Sequence, residues 1–232
     1  MGPRLKRTTQ VARNKSARPS AGPRAKAVAA RRRDIRAERA AQRREAILSA
    51  ALEEFSERGF ADARLDDVAN RAGVAKGTIY LHFHDKEHLF QEIVRAMLSP
   101  FVGSLEALGQ LEMPARAVGD QIVDLFVREI YETRRRDVIR LIITEGRRFP
   151  HLAEFYYREV LSRIFAALRP VLRSAAERGQ APPGLVEFPQ LVAAPALLAI
   201  LWDGVFERSA PLDLRAMLHI HLDVLFGVRR KP

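Results

Sequence analysis

The chain has 232 residues, of which 47% are hydrophobic and 29% charged, and it has no cysteine. That composition suits one small and one medium domain with a real core, and it excludes a disulfide framework, a thiolate nucleophile and a cysteine zinc site. The formal net charge of +11 is unevenly placed: residues 1 to 44 hold 15 Lys and Arg against 2 acidic residues, leaving 24 against 26 in the rest of the chain.

The N-terminal segment, residues 1–42, reads as a basic arm. Pro3, Pro19 and Pro23 with Ser, Gly and many like charges leave almost nothing apolar to bury up to about residue 26, so this part is expected to be disordered without a partner. From Ala27 to Arg44 the composition turns to strong helix formers, able to extend the next helix backward once phosphates neutralise it. A charge surplus of this kind favours nucleic acid. Anchoring to anionic lipid would require an apolar face that the arm lacks. Its basic residues lead into no apolar signal core, and Lys6 stands where a myristoylation motif needs Ser or Thr.

From about Arg43 to Arg58, Ile47, Leu48, Ala51, Leu52 and Phe55 recur at helical spacing, and Gly59 ends the pattern at the C′ position. Next comes the stretch LDDVANRAGVAKGTIYLHF, residues 65 to 83. Leu65, Val68, Ala69 and Ala72 form one apolar stripe on a helix of about two turns. Gly73 makes the sharp turn and Val74 plugs it from inside. A second helix, roughly Ala75 to His82, hides little beyond Ile79 and turns Lys76, Gly77, Thr78, Tyr80 and His82 outward. Lysine suits phosphates or guanine edges, hydroxyls suit phosphate oxygens, and glycine lets backbone approach a duplex. A helix of this width enters a major groove. Asp85 is the expected N-cap of the following helix, which buries Leu89, Phe90, Ile93 and Val94 and runs past Met97 toward a possible kink at Pro100.

Residues 43 to 95, including REAILSAALEEFSERGF, LDDVANRAGVAKGTIYLHF and DKEHLF, resemble the N-terminal domain of the TetR/AcrR family of bacterial transcription regulators. The resemblance implies an all-α, homodimeric, usually repressing DNA-binding protein whose second domain takes a small molecule that releases it from its operator. It also implies a phosphate contact for Lys86 at the turn before the fourth helix. Arg64 stands where the family usually has a capping threonine that touches phosphate, and an arginine still reaches a phosphate. Ala75 replaces a capping serine found in many relatives. Each change weakens local capping by about 1 kcal/mol.

The implied domains are a helix-turn-helix DNA-binding domain at 43–88 and a helical ligand-binding and dimerisation domain at 89–232, joined by the fourth helix as a lever. Beyond it the sequence predicts helices over roughly 115 to 132, 135 to 147, 151 to 178, 187 to 208 and 212 to 228, broken at Pro114, Pro150, the 178 to 185 loop and Pro211. The phrase RLIITEGRRFPHLAEFYYREV resembles the C-terminal domain of the AefR-like branch of the family. Residues 191 to 202, LVAAPALLAILW, are apolar all round, yet too short and Pro-broken to cross a bilayer. Such a helix needs cover on both sides: its own domain and a partner subunit. Together with Leu214, Met217, Leu218, Leu222 and Leu225 it suggests a two-fold four-helix interface through 187–208 and 212–228.

No motif supports an enzyme: there is no glycine-rich phosphate loop, no recognisable Ser/His/Asp arrangement, and no paired carboxylates placed by a motif. His84 and His88 straddle a helix start, and His219 and His221 point to different sides, so no metal and no cofactor is called for. Candidate effector-lining residues are Phe126, Ile130, Leu141, Phe155, Tyr156 and Trp202, with Glu145 or Asp203 orienting a polar group and an apolar or aromatic effector as the expectation. The resulting reading is a dimeric, sequence-specific regulator of double-stranded DNA, most simply a ligand-released repressor on a pseudo-palindrome. It would be cytoplasmic and nucleoid-associated, with no membrane partner. The alternatives are a nonspecific DNA-compacting protein acting through the basic arm, or an activator of the same family.

Overall fold

The computed structural model describes residues 23 to 227 and is built from helices, with no strand among those residues. The chain divides into two units, Met1–Arg43 and Arg44–Pro232. The expected disorder of the first 26 residues falls mostly outside the described range. Residues 23 to 43 belong to the helical run of α1 (Pro23–Asp62).

From Arg44 onward, α1 buries Ile47, Leu48, Ala51, Leu52 and Phe55, the stripe set by the sequence spacing. Gly59 interrupts the helix, with φ 76° and ψ 163°. That is a glycine-only region rather than the left-handed helical conformation of an ordinary C′ glycine. Then follow α2 (Leu65–Arg71), α3 (Lys76–His82) and α4 (Lys86–Leu108). Pro100 lies inside α4 without ending it. Phe55, Phe90, Ile79 and Ile93 are fully buried between these helices. Each such side chain contributes about 1.5–3 kcal/mol relative to staying in water.

The remaining helices fall within a few residues of the predicted spans: α5 (Ala115–Phe126), α6 (Arg135–Glu145), α7 (Pro150–Tyr156), α8 (Ser162–Glu177), α10 (Gln190–Phe206) and α11 (Leu214–Leu225), with an additional single turn, α9 (Gly184–Glu187), starting at the end of the predicted 178 to 185 loop and running up to the predicted start of the next helix. Two departures were not foreseen: α5 widens into a π-helical turn over Val127–Tyr131, and α7 continues into another over Tyr157–Leu161 before α8. The long α4 packs on α5, α6, α7 and α8, so one rod joins the helix-turn-helix half to the bundle. Its apolar cluster runs without a break from Ile47 to Leu222. No described helix is long and apolar enough to cross a membrane.

Candidate nucleic-acid interface and effector domain

The turn between α2 and α3 is closed by its own backbone. Gly73, at φ 66°, donates to the Asn70 carbonyl at 3.2 Å, and Val74 donates to Ala69 at 3.0 Å. This paired pattern stops one helix in a left-handed glycine and sends the chain off at an angle. Arg64 and Ala75 sit at the N-cap positions of α2 and α3 with extended backbone and no side-chain cap, as their residue types dictate. Asp85 does cap α4, accepting from the His88 amide at 2.7 Å.

Helix α3 buries one side chain, Ile79, completely. Lys76, Gly77, Tyr80 and His82 are exposed and Thr78 is half-buried. A Cβ added at Gly77 would meet nothing within 4 Å, so packing does not demand a glycine there. Sequence reading passed over Leu81, 82% exposed beside Tyr80, which is 53% exposed. The signal was available: a helix with one buried residue must present its other apolar side chains to something else.

The exposed face carries a contact not anticipated from the sequence. Asp66, in the first turn of α2, places Oδ2 2.7 Å from Lys76 Nζ and Oδ1 3.4 Å from the Tyr80 hydroxyl. The hydrogen bond from Lys76 holds the Asp66 carboxyl below its usual range, and Asp66 in turn raises the lysine. Arg64 is exposed and its backbone carbonyl accepts from the Asp67 and Val68 amides. Lys86 is half-buried, donates to the Ala61 carbonyl and lies 5.0 Å from the centroid of the Phe60 ring. It therefore ties the start of α4 to the end of α1 in this structure.

Behind the exposed face, Arg71 clamps α2 to α1. Its guanidinium donates to Glu57 at 2.9 Å and Glu53 at 3.4 Å, and pairs with the buried Glu54 at 3.1 Å. Glu53 also accepts from Arg134, the residue before α6. Those hydrogen bonds, Arg134 first, hold the Glu53 carboxyl below its ordinary value against the opposing effect of burial.

Of the proposed effector-lining residues, Phe126, Ile130, Leu141, Phe155 and Tyr156 all join the one buried apolar cluster. Phe126 packs edge-on against Phe101, and Phe155 lies under the guanidinium groups of Arg95 and Arg158. Burial pushes the Tyr156 hydroxyl well above the ordinary tyrosine range, so it stays neutral. Trp202 lies outside that cluster: its indole N–H donates to the Ala210 carbonyl at 2.7 Å and its ring packs 4.8 Å from Phe206. Glu145 is elsewhere again. Its Oε1 lies 3.0 Å from where a Cβ on Gly59 would sit, and its Oε2 is buried with no hydrogen-bond partner.

Asp203, the other acid considered for a polar effector group, is held by the protein's own side chains. It accepts from Arg140 at 2.6 Å and the Tyr131 hydroxyl at 3.3 Å, and pairs with Arg136 at 3.0 Å. A cleft of about 620 Å³ opens among Leu111, Met113, Val171, Ser174 and Arg178, between the end of α4 and the later part of α8. None of the proposed effector residues lines it.

The outward face of α10 and α11 is apolar. Leu191, Leu198, Leu201 and Val205 on α10, with Ile220 and Val224 on α11, are all exposed.

Comparison with known proteins agrees with this geometry. The family profile described as bacterial regulatory proteins, tetR family, matches residues 47–93, and a tetracyclin repressor-like C-terminal domain matches residues 119–222. The HTH-type transcriptional regulator SrpR of Pseudomonas putida is 26% identical over 194 residues, 83% of this chain and 88% of that protein. The HTH-type transcriptional regulator AcrR of Shigella flexneri is 34% identical over 106 residues, 44% of this chain and about half, 49%, of its own length. Among solved structures, the transcriptional regulator FadR from Bacillus subtilis in complex with stearoyl-CoA superposes with a TM-score of 0.62 at 19% identity, covering 80% of this chain and 99% of FadR. That identity speaks for the fold alone. With helix-turn-helix and C-terminal domain both matched in order, the chain belongs to the TetR family of DNA-binding transcriptional regulators.

Proposed function

We propose that this regulator is a repressor that works as a dimer, with α3 of each subunit in successive major grooves of a pseudo-palindromic operator. The observation that carries the reading is the exposed face of α3: Ile79 is the one residue of the helix that is buried, and Lys76, Tyr80, Leu81 and His82 are exposed. Lys76 and Tyr80 supply polar contacts to base edges and phosphates, and Leu81 an apolar one for a thymine methyl group. Gly77 and Thr78 allow close backbone approach and a phosphate hydroxyl contact, and Arg64 adds a guanidinium at the N-terminus of α2. Lys86 joins them only by leaving the Ala61 carbonyl.

The apolar faces of α10 and α11 pair with their copies in a second subunit. This places the two α3 helices about 34–36 Å apart on one side of the duplex. An apolar effector enters between the helices of the second domain, near Phe126, Ile130, Leu141, Phe155 and Tyr156, and biases the tilt of α4. Its action is limited by its differential affinity for the two tilts. The resemblance of residues 140 to 160 to the AefR-like branch supports assigning the effector domain to that branch of the family.

Selection of bound duplexes from a random-sequence pool by the full chain tests the reading. A recovered inverted repeat with half-sites about one helical turn apart is the expected result. A pool that stays random after repeated rounds contradicts it and leaves general compaction through the basic arm.

A further inference from the structure

The contact between Asp66 and the exposed face of α3 has no structural task that the rest of the domain leaves undone. The clamp between α1 and α2 is already made by Arg71 with Glu53, Glu54 and Glu57, and the α2–α3 angle is set by the Gly73 turn and Ile79. Asp66 and Lys76 are both solvent-exposed, at 40% and 62% of their side chains. An ion pair so exposed adds little to stability. What it does change is the chemistry offered to DNA. The same carboxylate reaches both Lys76 at 2.7 Å and Tyr80 at 3.4 Å.

We propose that Asp66 is a specificity-determining residue of the DNA-binding surface: it occupies Lys76 and Tyr80 until an operator offers both of them partners at once. The inference rests on the groove reading of α3 given above. Phosphates are present on every duplex, so a free Lys76 would bind any sequence. With Asp66 in place, a phosphate takes the lysine only by displacing a carboxylate, and the displaced carboxylate then lies close to the polyanion. On the operator the cost is offset. Lys76 and Tyr80 find base-edge acceptors together, and the released carboxylate can accept from an exocyclic amine of cytosine or adenine. Discrimination thus comes partly from a repulsive element against wrong sequences.

The test uses the full chain, a duplex recovered by selection, and a scrambled duplex of the same length and composition, titrated over a range of salt. Asp66→Asn keeps the shape and removes the charge. Affinity for the scrambled duplex should rise about 3- to 10-fold, with its salt slope steeper by about 0.9, one added phosphate contact. Affinity for the selected duplex should rise less or fall, so the ratio between the two drops. In a Lys76→Ala background the same substitution should change the ratio little, because Asp66 acts through the lysine. Equal gains on both duplexes, an unchanged ratio, or a full effect without Lys76 overturns the proposal. Lys76→Ala alone separates the two levels of argument. If it leaves binding to the selected duplex unchanged, the groove reading fails and the inference falls with it; if it weakens binding while Asp66→Asn leaves the ratio alone, only the role of Asp66 is wrong.

Discussion

Phe60 and Phe149 meet edge to face with ring centroids 4.9 Å apart. One ring follows the glycine that interrupts α1, and the other immediately precedes α7. Phe55 and Phe90 extend the contact inward from Phe60, at 5.3 and 6.1 Å. The four rings thus form one packed group between α1, α4 and the start of α7. Replacing Phe149 with Ala should cost about 2 kcal/mol in chemical denaturation, less than the ~3–5 kcal/mol typical of a fully buried ring. In the same variant, DNA binding should respond less to an effector than in the parent protein.

Gly59 marks the same junction from the backbone side. Its φ of 76° with ψ of 163° is open only to glycine, and an added Cβ would stand 3.0 Å from Glu145 Oε1. Gly59→Ala is expected to lower stability by about 1–3 kcal/mol. Combining it with Glu145→Ala removes the steric part and leaves the backbone part, so the double variant should lose less than the two single losses added. Additive losses in a denaturant cycle would mean that the two residues do not press on each other.

Acid should loosen the clamp between α1, α2 and α6. Hydrogen bonds from Arg134 and then Arg71 hold Glu53 below its ordinary value of 4.5, and Glu57 is lowered by Arg71. A depressed carboxylate contributes its stability in full above the unfolded-state value and loses it as pH falls through the folded one. Thermal midpoints should therefore hold from neutral pH down to about pH 5 and fall below that. In Glu53→Gln the midpoint should start lower at neutral pH and decline less steeply in acid.

Val205 and Val224 are 71% and 74% exposed on the outer face of α10 and α11, so neither supports the fold of its own subunit. A glutamate at either position should leave the helical content unchanged and shift sedimentation from dimer to monomer. A variant that stays dimeric places the subunit contact elsewhere.

The DNA-binding half was legible because its signals are local. Spacing of Ile47, Leu52 and Phe55 fixes one stripe, Gly73 the turn, and Asp85 a cap, each within a few residues of what it controls. Asp66 escaped notice because its role depends on how two helix starts come together, a matter of the turn angle rather than of periodicity. The resemblance implies a phosphate contact for Lys86, whereas the turn of α1 at Gly59 brings the Ala61 carbonyl within its reach. In the effector half, aromatic residues at helical spacing look alike whether they line a cavity or fill a core. Trp202 and Glu145 left that group for a further reason: one found a carbonyl eight residues on, and the other faces a glycine eighty-six residues back. The π-helical turns at Val127–Tyr131 and Tyr157–Leu161 leave no mark in the spacing of apolar residues long enough to detect.

Equilibrium binding of Lys76→Ala and Tyr80→Ala to a selected duplex, measured by fluorescence anisotropy on dimers whose folding has been verified, tests the groove assignment of α3 most directly. Loss of about 1–3 kcal/mol for each base-edge contact removed, with relaxed preference at the matching base position, is the result it predicts. Wild-type affinity and preference in both variants would contradict it, because the exposed face of α3 would then not be what reads the DNA.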